Sequence, residues 1–419
     1  MADQEQKHWD TSYEWKAVTL LGLGFGLVGL DRWIIAPLFP FMMKDLHMGY
    51  QDLGNLVGAL GLCWGAFAII MGGLSDKIGR RKVLIPAILL FSLLSGLSGL
   101  ATGFVSLILI RAIMGVTEGS FCPTSFAATN EASQPKRRGF NQGIQQCGFA
   151  LFGLGFGPII ATQLLTVVPT WRWVFFIVAI PGFIIGALMF KVIRDPAPRE
   201  KHHENAGGGG WIRVFSSRNI VVSMFGLFCA MTGVFVISAM LPNYLIDCLH
   251  LTPGQMGFVT SAIGFGGFVG QFGIPGLSDV FGRRLLAILG FLGAAALIRV
   301  FIAVGANPPL LFALMFLISF FCLGLIALLT GPIATESAPA GLVSSAIGIV
   351  VGAGEIFGGG VAPVIAGYTA QHYGIENILY LALIGVALGI LVCVFLKETA
   401  PRKLHRAERQ MALESSASQ

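Results

Sequence analysis

Charge is scarce in this chain. Only 11% of its 419 residues are charged, while 55% are hydrophobic. A soluble chain carries about 25% charged residues. A soluble fold with so little charge would have to show much of its apolar surface to water, so lipid is the expected solvent. Paired cysteines are also missing. The seven are odd in number, none forms a Cys-x-x-Cys pair, and nearly all lie inside apolar runs. This excludes a disulfide framework and a thiolate metal site, and leaves them as small buried apolar residues. No metal-ligand cluster or nucleophile–base pair is present, so no enzyme, cofactor or metal is expected. Met1 to Glu14 is polar and mixed in charge, unlike a cleavable leader, which is basic and then apolar. The net charge of +6 does not point to nucleic acid. The basic residues fall in short clusters between apolar runs, not on one face of a polar domain.

Those apolar runs are the main signal. A bilayer core about 30 Å thick needs roughly 20 apolar residues of helix. Runs of that length recur near 16–42, 53–74, 83–102, 104–128, 140–165, 172–192, 219–246, 255–276, 284–304, 308–332, 341–369 and 377–396. The breaks at Thr102-Gly103 and Ala306-Asn307-Pro308-Pro309 use residues that mark turns. The fold class is therefore an all-α membrane protein of twelve spans. The basic residues test the count. Lys7, Lys16, Lys77, Arg80, Arg81, Lys82, Lys136, Arg137, Arg138, Arg283, Arg284, the group 191–218 and the group 397–409 all fall on the side shared by both termini. The other side holds Lys44 and Arg172. The positive-inside rule puts both termini in the cytoplasm.

The chain also repeats itself. Gly73-Leu-Ser-Asp76-Lys-Ile-Gly79-Arg80-Arg81 follows the second run, and Gly276-Leu-Ser-Asp279-Val-Phe-Gly282-Arg283-Arg284 follows the eighth. The copies lie about half the chain apart, as two parallel six-helix halves require. The expected division is a tail at 1–15, a first half at 16–192, a linker at 193–218, a second half at 219–396 and a tail at 397–419. The linker holds His202, His203 and the run Gly207 to Gly210 and reads as a flexible connection. The repeated G-x-x-x-D-x-x-G-R-R resembles the loop signature of the major facilitator superfamily, and the resemblance covers essentially the whole chain. It implies a twelve-helix transporter in which motif residues bridge neighbouring helices and govern gating. That role carries over to Gly73, Asp76, Gly79, Arg80 and Arg81, and to Asp279, Arg283 and Arg284. Glu131 and Glu336 end spans four and ten at matching repeat positions and read as fasteners.

Few ionisable residues fall deep within the spans: Asp31 and Arg32 in the first, Arg111 and Glu118 in the fourth, and Glu355 in the eleventh. A charge at mid-membrane costs about 2.5–3.5 kcal/mol on insertion scales and marks function by default. Arg111 and Glu118 are seven residues apart, two turns on one helix face. An apolar medium disfavours a carboxylate's charged form, so such acids can exchange protons. An arginine stays charged and can hold a substrate carboxylate. The rival reading is that the pairs merely neutralise each other.

The pattern Arg111-x-x-x-Gly115-x-x-Glu118-Gly119-x-x-x-Pro123 resembles the fourth helix of the anion:cation symporter family, and Asp31-Arg32 resembles the first helix of its galactonate- and hexuronate-type members. The resemblance implies proton coupling at Asp31 and Glu118 and substrate binding or coupling at Arg32 and Arg111. Leu241-Pro242-Asn243-Tyr244-Leu245 is similar to a Pro-x-Tyr-Leu segment there. It adds Tyr244 and Asn243 as substrate contacts, with Gln145 or Gln146 as a polar partner in span five. Glu355 departs from that pattern, since a neutral polar residue is expected there. It reads as a second proton site, a cation site or the partner of an arginine. Gly24-Phe-Gly26-Leu-Val-Gly29 before Asp31 matches a dinucleotide fingerprint, but no strand precedes it. Small residues pack helices in lipid. The expected protein is a monomeric, proton-coupled importer of a small organic anion in a plasma membrane of bacterial inner-membrane type. Its partners are the substrate, protons and lipid. An efflux antiporter for drugs or metabolites is the alternative.

Overall fold

In hydrocarbon no water is available for backbone N–H and C=O groups, so an apolar run must satisfy them internally as helix. The computed structural model describes residues 10–194, 210–339 and 342–403, apart from the side chains of residues 72, 73, 76, 77, 136, 211, 212 and 344. Among these, twelve helices are long and apolar enough to cross a bilayer. They are α1 (Thr11–Leu46), α2 (Tyr50–Met71), α3 (Arg80–Ser98), α4 (Phe104–Ala132), α5 (Arg138–Val167), α6 (Trp171–Val192), α7 (Arg218–Asp247), α8 (Pro253–Phe281), α9 (Arg283–Ala303), α10 (Pro308–Ser337), α11 (Ser345–Tyr373) and α12 (Asn377–Val394). The expected number of spans is met. Most of the linker, residues 195–209 with His202 and His203, lies outside the described residues. A short helix, Gly210–Phe215, leads into α7.

Ends follow from local chemistry. Asp10 caps α1 by accepting the Tyr13 N–H at 2.9 Å, which starts the helix earlier than the apolar run alone indicates. Asn307 caps α10 by accepting the Leu310 N–H at 3.3 Å, with Pro308 in the first turn. The two copies of the repeated motif end their helices alike. Gly79 and Gly282 have φ of 104° and 100°, a region open to glycine and strained for other residues.

The helices differ in what surrounds them. In its most apolar stretch α1 is 83% buried and α7 78%, against 33% for α9 and 39% for α12. The first pair therefore lies at the centre, and the second faces the lipid position. The large apolar side chains Leu292 of α9 and Leu391 of α12 are more than half exposed there.

Glycine faces join the halves. A Cβ at Gly264 of α8 would fall within contact of Gly155 of α5. In the same way, a Cβ at Gly61 of α2 would strike the Gly359 backbone of α11. Such close backbone approach is how helices pack without a hydrophobic driving force. At the end away from the termini, here the far end, the halves are also tied by polar contacts. The Tyr50 hydroxyl donates to Asp247 at 2.7 Å. The Tyr50 N–H donates to the Gln371 side chain at 2.9 Å.

Four helices lose α-helical regularity. α1 is interrupted at Ile34, between Thr11–Trp33 and Ile35–Leu46. Pro37 lies just beyond, and a proline both lacks an N–H and crowds the carbonyl four residues back. α10 carries a π-helical turn at Leu329–Ile333, and α5 and α11 carry them at Phe149–Phe156 and Glu355–Val361. α5 and α11 hold equivalent places in the two halves. Such turns concentrate at functional sites.

Candidate functional site

The break in α1 presents Asp31, Arg32 and Trp33 to five other helices. Asp31 and Arg32 are buried, as are Arg111 and Glu118 on α4 and Glu355 on α11. The structure thus brings all five mid-span charges together. The Ser95 hydroxyl of α3 donates to Asp31 Oδ1 at 2.8 Å. Arg111 Nη1 donates to the backbone oxygens of Asp31 at 3.0 Å and Arg32 at 3.3 Å. Arg111 therefore braces the interrupted backbone of α1. Glu118 lies within electrostatic reach of Asp31, Arg32, Arg111 and Glu355. Both of its carboxyl oxygens are buried without a hydrogen-bond partner among the described residues.

Glu355 is bound to Arg32. Arg32 Nη2 donates to Glu355 Oε2 at 2.9 Å, and both side chains are less than a tenth exposed. The pair crosses from the first half to the second. Of the three roles open to Glu355 in the sequence, the structure displays the arginine partnership. Glu355 opens the π turn, and Gly359 follows one turn later. A Cβ at Gly359 would collide with Glu355 Oε2 and come within 2.9 Å of Arg32 Nη2. The absence of a side chain there makes room for the pair.

Aromatic rings surround the same guanidinium. The rings of Trp33, Trp64 and Phe235 lie 5.5, 5.8 and 5.1 Å from Arg32 Cζ, within cation–π range. Sequence reasoning missed these three and Ser95. Trp64 carried a usable signal, since membrane tryptophans concentrate at the interfaces and this one lies in the interior of α2. The Trp33 and Trp64 indole nitrogens are buried without a partner among the described residues, as are Nε and Nη1 of Arg32.

The other expected contacts sit elsewhere. Gln145 is fastened between α5 and α4, donating to Ser125 at 2.7 Å and accepting from Thr129 at 2.5 Å. Gln146 is half-buried. Tyr244 stands beside Cys248, Glu376 and Tyr380 towards the far end. Asn243 is buried, with its amide nitrogen 3.1 Å from Met43 Sδ of α1 and its oxygen without a partner among the described residues. Gly24 and Gly29 of the fingerprint-like run are packed against Phe121 and the Phe149 backbone, as helix seams are.

The doubled motif lies at the termini end. Arg80 donates to Glu131 at 3.2 Å, and Arg81 lies over the Phe190 ring at 4.6 Å. In the second copy Arg283 bonds Glu336 at 2.8 and 3.2 Å and pairs with Asp279 at 2.6 Å. Arg284 donates to the Val394 carbonyl at 2.9 Å. Each of these contacts joins helices of one half. The side chain of Asp76 lies outside the described residues, and Gly73 has none to contribute.

Comparison with known proteins agrees with this architecture. A family model described as Major Facilitator Superfamily matches residues 21–244 and again 223–418. The chain is similar to a probable 4-methylmuconolactone transporter of Cupriavidus pinatubonensis, at 27% identity over 86% of each chain. It is 26% identical to a D-galactonate transporter of Escherichia coli, covering 87% of this chain and 91% of that one. Among solved structures it resembles a bacterial homolog of the human lysosomal transporter Spinster in an inward-facing and occupied conformation. That likeness has a TM-score of 0.73 at 16% identity, over 91% of this chain and 96% of the other.

Proposed function

The chain belongs to the Major Facilitator Superfamily, and we propose that it is a proton-coupled importer of a small organic anion, with both termini in the cytoplasm. It works by rocking one six-helix half against the other. The observation that carries this reading is the buried group of Asp31, Arg32, Arg111, Glu118 and Glu355 at the junction of the halves. Charges kept at mid-membrane are costly and mark function by default, which supports this reading. The relatives named as carriers of methylmuconolactone and galactonate support the anion.

In the proposed cycle Asp31 and Glu118 take protons while the site faces outward. A proton on Glu118 removes the expense of a buried charge with no partner. The substrate carboxylate then approaches Arg32, whose Nε and Nη1 groups have no partner among the described residues. Arg111 holds the α1 backbone that positions Arg32. The loaded halves rock, the far end closes through contacts such as Tyr50 to Asp247, and substrate and protons leave to the cytoplasm. Arg80–Glu131 and Arg283–Glu336 keep each half rigid during the turn, while Asp76 and Asp279 serve the gating role.

The test is uptake into proteoliposomes under an imposed inward proton gradient, with a panel of labelled carboxylates. Accumulation of an acid that collapses with a protonophore supports the reading. Expulsion of a cationic or neutral compound in exchange for protons, with no acid taken up, refutes it and favours the antiporter.

A further inference from the structure

The polar groups around Arg32 are unusual in being nearly all donors. Arg32 Nε and Nη1, Trp33 Nε1 and Trp64 Nε1 are buried without partners among the described residues. Guanidinium and indole groups donate and never accept. A buried donor without a partner is expensive, and an acceptor-rich ligand relieves several at once. The surroundings are flat and apolar. Three aromatic rings flank the guanidinium, and the Trp33 and Phe235 rings are 5.0 Å apart. Arg111 adds two more donors, Nε and Nη2, without partners among the described residues, and Glu118 is the free acid beside them. In its proton-loaded form it offers one donor and one carbonyl acceptor, which can take the proton of one hydroxyl but not those of a polyol.

The charges then set the ligand's valence. This step rests on the proposed proton loading of Asp31 and Glu118. With those acids neutral, the guanidinium charges of Arg32 and Arg111 stand against the carboxylate of Glu355. One positive charge is left over, enough for one anionic group. A second anionic group on the ligand would meet Glu355 itself, which already holds Arg32 Nη2. Like charges in a low-dielectric site repel strongly.

We infer that the site takes a carboxylate with a single negative charge on a flat, apolar body, and that Glu355 is the specificity residue that rejects a second charge. Sugar acids, with their many hydroxyls, are the poorer ligands. The donor cluster holds the carboxylate, the aromatic rings hold the body, and Glu355 caps the charge at one.

The experiment is a binding titration on the purified full-length protein at mildly acid pH, read by tryptophan fluorescence and by thermal stabilisation. The probes are benzoate, terephthalate and glucuronate. Benzoate is expected to bind at least about tenfold more tightly than either of the others. Glu355→Gln is expected to tighten terephthalate about tenfold more than it tightens benzoate. Trp64→Phe keeps an aromatic face, on a smaller ring, and removes the N–H, and is expected to weaken benzoate about tenfold, the scale of one charge-assisted hydrogen bond. Glucuronate binding as well as benzoate would overturn the inference while leaving the anion-carrier reading intact. A terephthalate affinity that gains no more than that of benzoate in Glu355→Gln would overturn the role of Glu355. Failure of all three anions, with binding of a cation instead, would overturn both readings. Should Glu355→Gln not fold, the wild-type ranking and Trp64→Phe still decide.

Discussion

Replacing Gly359 by alanine probes the Arg32–Glu355 pair without removing either charge. The added methyl group would overlap Glu355 Oε2 and sit 2.9 Å from Arg32 Nη2 and 3.4 Å from Glu355 Cδ. The backbone cannot retreat easily. On one side the Gly359 carbonyl already meets Gly61 of α2, and on the other Gly358 packs on Met231 of α7. The side chains must therefore give way, and the 2.9 Å hydrogen bond is what they give up. Loss of one charge-assisted hydrogen bond costs about 1.5–3 kcal/mol. Full separation of a buried ion pair, with one charge left uncompensated, costs about 3–5 kcal/mol. Unfolding of the purified variant in detergent should show a loss within that span. The decisive version is a double-mutant cycle with Glu355→Ala. Once the carboxylate is gone the methyl group has its main obstacle removed, so Gly359→Ala should become much milder. The expected coupling exceeds about 1 kcal/mol. Additive effects would show that Gly359 matters for some reason other than the pair, and the reasoning would fail.

Gln145→Leu should lower stability by about 1–3 kcal/mol by orphaning Ser125 and Thr129, with the apparent substrate affinity unchanged. A large rise in KM with normal stability would place Gln145 at the substrate after all. Gly79→Ala should cost about 1–3 kcal/mol, because its φ of 104° is strained for alanine. A neutral effect on the melting temperature would contradict the assigned backbone conformation.

Much of the fold was legible because its signals are long and redundant. Twenty-residue apolar runs, basic clusters on alternate loops and the doubled Gly-Leu-Ser-Asp motif each point to the same twelve helices. The charged residues of the site were legible too, since Asp31, Arg32, Arg111, Glu118 and Glu355 are conspicuous in apolar surroundings. Their partners were not. Spacing reports only neighbours on one helix, so it joined Arg111 to Glu118, whereas Arg111 is hydrogen-bonded to the backbone of α1. Nothing in the sequence links Arg32 to Glu355, 323 residues away. The π turn that opens at Glu355 has no periodic signature, only a run of glycines. Gln145 was a reasonable polar candidate, but a helix at the centre of a half has more than one buried face. The side of α5 that carries Gln145 meets α4.

The proton-coupled cycle stands or falls on Glu118. The direct measurement compares uphill accumulation and counterflow exchange of one labelled carboxylate in proteoliposomes carrying wild-type protein or Glu118→Gln. If Glu118 carries the coupling proton, the variant loses accumulation under a proton gradient and keeps exchange, because a permanently neutral side chain still lets the loaded carrier turn. If Glu118→Gln accumulates the acid as well as wild type does, Glu118 is not the coupling acid and the proposed cycle is wrong.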